Sequence, residues 1–335
     1  PVETHEQRPR DRYISTGRLP TADAVREIVA EAHERFRHVP DGELSRVYPA
    51  LATADPAHFG VCVVGTGGAV HAAGDVDVPF ALMSVAKPFV FALVLEALGP
   101  EEARARIGVN ATGLPFNAVA AVERERDGRT NPMVNAGAIA AASLVPGEGE
   151  EKWAAVMAGL SAFAGRPLEL DEEVYASASA TNHVNRALAF LLHSRGGLGC
   201  DPDLALDVYT RQSCLTVTAT DLAAMGATLA GGGVNPITRE RVLDAALCHH
   251  VLAVMMTAGL YETSGDWLYD VGQPGKSGIG GGIVTVAPGK GGMGTYSPLL
   301  DDAGNSVRGQ LAARFLSRRL GLDLLGSETP PPIGT

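Results

Sequence analysis

Strand-like alternation in this 335-residue chain is confined to its two ends, and between them lies a long Ala-rich stretch of helical period. Two β-like runs, at 59–64 and 69–73, are separated by Gly65, Gly67 and Gly68, which is a hairpin signal. β character returns at 282–287 and 294–297, around a glycine-rich turn at 289–292. Between about 118 and 260 the apolar spacing is helical, at 153–163, 185–192, 203–209, 221–229 and 241–256. Helices also flank this region. One is capped by Thr21 and carries Val25, Val29, Ala32 and Phe36; the other, over 307–320, carries Leu311, Phe315 and Leu316. Strands from both ends must build one sheet, which predicts an α+β class of β-lactamase/DD-peptidase-like form: an antiparallel sheet flanked by helices, with an inserted all-helical subdomain. The expected division is 19–117 with 261–325 for the sheet unit and 118–260 for the helical unit, with tails at 1–18 and 326–335.

Composition narrows the partners. Hydrophobic residues at 46% against 19% charged exclude wholesale disorder. A net charge of −11 with no compact Lys/Arg run disfavours nucleic acid and anionic membrane surfaces. The strongest apolar run, 88–95, stops at Glu96 and is too short to span a bilayer. The first residues are charged, with no apolar signal segment behind them, so a cytoplasmic protein is expected. Cys62, Cys200, Cys214 and Cys248 form no C-x-x-C pair, which fits a reducing compartment. There is no H-E-x-x-H and no G-x-S-x-G elbow, and Cys248-His249-His250 reads as a helix segment. The expectation is a small-molecule substrate, no metal and no organic cofactor.

The sharpest local conflict is Ser84-Val85-Ala86-Lys87, which opens an almost wholly apolar helix over 85–98. Positions i and i+3 share a helix face, so hydroxyl and amine are neighbours. A lysine among Phe89, Val90, Phe91 and Leu93 either snorkels to water or loses solvation, and desolvation lowers an amine's pKa. Such an amine can take a serine's proton and make it a nucleophile. The plain alternative is a Ser helix cap followed by a solvent-reaching lysine. Far downstream stands Lys276-Ser277-Gly278, just before a predicted strand. S-x-x-K followed by K-[ST]-G is the pair of penicillin-binding and β-lactamase-type acyl-transferases, in which an edge strand completes an oxyanion hole and the lysine adds positive potential. A phosphate-cradle reading of Gly275-Lys276-Ser277 fails, because the required first glycine is Asp270. The S-x-N or Y-x-N triplet of β-lactamases is absent, so the middle catalytic group must differ.

With these blocks in order the chain resembles the serine-dependent glutaminases of the β-lactamase-like superfamily, from about residue 19 to 320. The markers are Ser84-Val85-Ala86-Lys87-Pro88-Phe89, Pro115-Phe116-Asn117, Asn131-Pro132-Met133-Val134-Asn135-Ala136-Gly137-Ala138-Ile139 and Asn185-Arg186-Ala187-Leu188-Ala189. Gly259-Leu260-Tyr261-Glu262-Thr263-Ser264-Gly265-Asp266 and Lys276-Ser277-Gly278-Ile279 continue them. The resemblance implies a glutaminase that acts through an acyl-enzyme, with Ser84 as nucleophile, Lys87 as its activating amine and Tyr261 as proton shuttle. It implies an oxyanion hole from the backbone N–H groups of Ser84 and Ile279, and substrate contacts from Asn135, Asn185 and Tyr209. Ammonium groups nearby would lower the tyrosine's pKa from its usual ~10. Relatives assemble as homo-oligomers, so a homodimer or homotetramer is implied.

Two positions depart from the family pattern. Ala178 stands where the family has a glutamate that pairs with the substrate's α-ammonium, and Met83 stands where a glutamine usually precedes the nucleophile. Glu172 or Glu173 is the carboxylate available to substitute. The alternatives are a β-lactamase-like hydrolase of another amide and a catalytically weak binding homologue.

Overall fold

A computed structural model of the protein describes residues 19–326, so the expected tails lie outside the described residues apart from residue 326. The central sheet runs β2 (Val70–Gly74), β1 (Gly60–Gly65), β8 (Gly291–Tyr296), β7 (Gly282–Ala287), β6 (Gly275–Ser277), every pair antiparallel. The strands are contributed by both ends of the sequence, as their placement predicts, and this is the α+β class of the β-lactamase-like fold. A second small sheet joins β3 (Phe80–Ala81), β5 (Leu215–Val217) and β4 (Glu169–Leu170).

Side chains alternate across a strand, so the main sheet feeds two cores. Val61, Val63 and Ile283 point to one face, where they pack under the helices Ala22–Phe36 and Val307–Arg319 with Val25, Val29, Ala312 and Leu316. Cys62, Val64, Val284 and Val286 point to the other face, into the larger core built by the helical middle. The helix Ala219–Ala230 lies directly on that face. Its approach explains one departure from the sequence expectation: glycines 291 and 292, read as turn, are strand. A Cβ at Gly292 would come 2.2 Å from the backbone N of Ala227, and one at Gly294 would come 2.1 Å from the carbonyl O of Ala219. The strand starts early because only glycine fits beneath this helix.

Other boundaries shift for ordinary reasons. The helix expected over 241–256 is Ala245–Ala258, because the Asp244 carboxylate caps it by accepting from the Ala246 N–H. Lys276 and Ser277, expected just ahead of a strand, are themselves in the edge strand β6. The apolar helix is Ala86–Leu98, preceded by a 3-10 turn Met83–Val85, so Ser84 sits inside a turn rather than capping the helix. That turn packs against β6 and places the nucleophile candidate at the sheet's edge.

Candidate active site

The 3-10 turn is bent into place by Met83, whose φ of 49° is in the left-handed region that non-glycine residues rarely adopt. Tyr261, in another 3-10 turn (Tyr261–Thr263), has φ 54°. Left-handed strain at a side chain aimed into a cleft is a mark of functional sites. Both residues line one pocket together with Ser84, Asn135, Asn185, Tyr209 and Ile279. The pocket thus gathers six of the candidate site residues and Met83, while Lys87, Lys276 and Ser277 lie buried close behind its wall.

The end of β6 closes against the nucleophile turn. A Cβ built on Gly278 would stand 3.2 Å from the backbone N of Ser84 and 3.0 Å from the carbonyl O of Leu82. A Cβ on Gly280 would lie 2.3 Å from the carbonyl O of Ala81. The glycines let strand and turn touch backbone to backbone, which brings Ile279 beside Ser84 at the pocket wall.

Lys87 does not snorkel. It is 1% exposed, and Nζ donates to the Met133 carbonyl O at 3.2 Å and to Asn135 Oδ1 at 2.7 Å. Burial alone pulls its pKa down to about 7. Because Lys87 Nζ donates to Asn135 Oδ1, the rest of the amide relay is oriented. Asn135 Nδ2 donates to Asn185 Oδ1 at 2.8 Å, Asn185 Nδ2 donates to Asn182 Oδ1, and Asn182 Nδ2 donates to Thr210 Oγ1 at 2.9 Å. Tyr209 Oη also donates to Asn135 Oδ1, at 3.1 Å. Asn182 and Thr210 were not signalled by any motif. A usable sign was present, since Asn182 and Asn185 are three apart and share a helix face.

Lys276 is fully buried on β6 and donates to the Ser277 carbonyl O at 2.7 Å. Burial first, then the charge of Lys87, holds its pKa well below the ordinary value. That direction runs against the expectation of a fixed positive charge at this position. Lys276 Nζ lies 4.3 Å from the centre of the Tyr261 ring, and the Tyr261 hydroxyl donates to the same Ser277 carbonyl at 3.4 Å. The phenol also corrects the sequence expectation. Burial raises it to about 12, outweighing hydrogen bonds with Ser84 and Ser277 that pull the other way. Tyr261 is a neutral phenol near pH 7. Ser277 Oγ donates to Asn305 Oδ1, and Asn305 Nδ2 donates to Thr263 Oγ1 at 2.9 Å, so a buried amide ties β6 to the turn that carries Tyr261.

The two departures from the family pattern meet in one place. Ala178 is 1% exposed and packs in an apolar cluster with Ala81, Met83, Val174 and Cys214. Glu172 and Glu173 are exposed on the first turn of the helix Glu172–Thr181 and do not line the pocket, so neither replaces the missing carboxylate. No group of His, Cys, Asp and Glu among the described residues is arranged to hold a metal ion.

A glutaminase family model matches residues 42–325. Glutaminase 2 of Yersinia pestis is 63% identical to this chain over 317 residues, covering 94% of the chain and 93% of that protein. The glutaminase of Colwellia psychrerythraea is 46% identical over 302 residues, covering 90% and 97%. Among solved structures, a probable glutaminase superposes with a TM-score of 0.90 at 44% identity, covering 92% of this chain and 100% of that one. Mglu in its glutamate form superposes at 0.85 and 38% identity, covering 93% and 72%.

Proposed function

The chain belongs to the glutaminase family, and from that premise we propose that it hydrolyses L-glutamine to L-glutamate and ammonia through an acyl-enzyme on Ser84. Ser84 Oγ attacks the carbon of the substrate's terminal amide while the Lys87 amine accepts the hydroxyl proton. The oxyanion forms against the backbone N–H groups of Ser84 and Ile279, and preorganised donors of this kind are worth roughly 10²–10³ in rate. Collapse breaks the C–N bond, and the departing nitrogen takes a proton from Tyr261, which Lys87 restores. Water then attacks the γ-glutamyl ester, Lys87 again accepting a proton, and Ser84 is released with L-glutamate. Asn135, Asn185 and Tyr209 hold the substrate's amino-acid end, with Lys276, Ser277 and Gly278 supporting the strand side of the pocket.

The observation that carries this reading is the buried Lys87 amine, brought down to about 7 and standing one helical turn from Ser84. An amine with that pKa is half unprotonated at neutral pH and strong enough to serve as a general base. Four free thiols suit a reducing, cytoplasmic setting, and no helix among the described residues is long and apolar enough to cross a membrane. Assembly as a homodimer or homotetramer belongs to the same reading and would be read by sedimentation.

The test is intact-mass analysis after exposure to 6-diazo-5-oxo-L-norleucine. We expect one adduct, mapped to Ser84, and no ammonia release from Ser84→Ala. An adduct on another residue, or a Ser84→Ala protein that still releases ammonia, would refute the assignment.

A further inference from the structure

Among the described residues, those that line the pocket around Ser84 include no Asp or Glu. Its polar lining is neutral, made of Tyr48, Asn135, Asn182, Asn185, Tyr209 and Ser213 among others. Two apolar residues at its mouth, Val47 and Val184, are 54% and 48% exposed. Met83, Phe116 and Ile279 continue that apolar wall. A free α-amino acid brings an ammonium group, and burying a cation without an anionic partner is costly. The pocket's own lining offers it amides, hydroxyls and phenols but no carboxylate.

The space beyond the wall has the opposite character. The pocket itself is about 160 Å³, and across Val47, Phe116 and Ile279 it opens onto a cleft of about 710 Å³. That cleft carries the carboxylates Asp41, Glu43, Asp301 and Asp302, and Glu262 lines a third cavity that shares Phe116 and Tyr261 with the pocket. Glu43 pairs with Arg46 at 3.3 Å, and Asp301 is occupied by the N–H groups of Ala303 and Asn305 and by Gln310 Nε2. A substrate whose amine is capped carries no cation into the neutral pocket. Its cap has an apolar rim to lie on and a larger space to extend into.

We propose that this site takes N-acylated glutamine, and hydrolyses its terminal amide at least as well as that of free L-glutamine. The inference rests on the Ser84 acyl-enzyme reading and changes only the substrate class. The bond broken is still the C–N bond of the terminal amide, water is still the co-substrate, and the acyl cap stays on the product.

The test compares kcat/KM for N-acetyl-L-glutamine and L-glutamine, following ammonia release, with Ser84→Ala as control. We expect a ratio of one or more for the wild type. In Val184→Glu, which places a carboxylate at the exposed rim, the ratio should fall about fivefold, the scale of one solvent-screened ion pair. A wild type that prefers free glutamine by tenfold or more overturns the inference and leaves the Ser84 reading intact. Loss of neither activity in Ser84→Ala would overturn the nucleophile assignment instead, and absence of turnover on both substrates would overturn both.

Discussion

Asn135 holds the Lys87 amine from one side and Asn185 from the other, accepting from Nζ at 2.7 Å through Oδ1 while Nδ2 donates to Asn185 at 2.8 Å. The amide links the proposed general base to the proposed substrate-holding side of the pocket. Replacing it by a carboxylate keeps the shape and adds an opposite charge beside the amine. Such a charge favours the ammonium form by about 1–3 pKa units. In Asn135→Asp the acidic limb of the kcat/KM profile should therefore move to higher pH by about that amount. A limb that stays in place would show that Lys87 is not the group titrating.

For the unmodified protein the same limb should fall near pH 7, with activity rising as Lys87 loses its proton. Lys87→Arg should be inactive at every pH up to 10, since a guanidinium stays protonated throughout. Activity in that variant above about 1% of the wild type would count against an amine base. The complete pH profile of kcat/KM, recorded for both proteins, is the measurement.

Tyr261 should contribute at the opposite end. With its phenol at about 12, no alkaline limb from this group is expected below pH 10. Tyr261→Phe keeps the ring against Phe116, 4.7 Å between centres, but removes the proton donor. Loss of a positioned acid costs about 10²–10⁴ in rate, so kcat should drop on that scale with KM little changed. A descending limb between pH 8 and 9 in the wild type that disappears in Tyr261→Phe would show that the phenol loses its proton there, well below about 12.

Much of this site was legible in the sequence because its parts violate local rules. A lysine in the run 86–95 must reach out to water or lose its solvation, and Lys276-Ser277-Gly278 far downstream completes the acyl-transferase pair. From sequence the glycines at 278 and 280 read as room for a substrate to approach the backbone, whereas the atoms they make room for belong to Leu82, Ser84 and Ala81, almost 200 positions away. The strands β3, β4 and β5 were invisible because two or three residues carry no period. Met83 gave no sign of its positive φ, because methionine has no preference for it and the packing of the turn imposes it. The pKa directions of Tyr261 and Lys276 depend on how deeply each is buried, which composition does not reveal.

Gly278 offers a direct test of the strand's approach. Alanine there would put a methyl carbon 3.0 Å from the Leu82 carbonyl O and 3.2 Å from the Ser84 N. Its φ is not in the left-handed region, so the backbone itself tolerates alanine, and the strain is confined to the seam. The strand end must shift by a few tenths of an ångström, displacing the Ile279 N–H from the oxyanion. Removal of one such donor costs about 10²–10³ in kcat. Gly278→Ala should lose activity on that scale with its melting temperature nearly unchanged. Retention of full activity would mean that the segment following β6 does not supply the oxyanion donor.

Lys87 also leaves a thermodynamic signature that does not depend on turnover. Its pKa is about 7 in the folded protein and the ordinary 10.5 when unfolded. Between those values the unfolded state binds one more proton, so stability rises with pH. Below pH 7 both states are protonated, and above 10.5 neither is, so the contribution is flat outside that window. The slope inside it is about 1.4 kcal/mol per pH unit for one group. Lys276 acts in the same direction, so the two must be separated by a difference. Denaturant titrations of wild type and Lys87→Met at pH 7, 8 and 9 should show the wild type gaining on the variant at each step by roughly that slope. A difference that is constant over these pH values would mean that Lys87 keeps its proton in the folded protein, and the amine could not then serve Ser84 as a base at neutral pH.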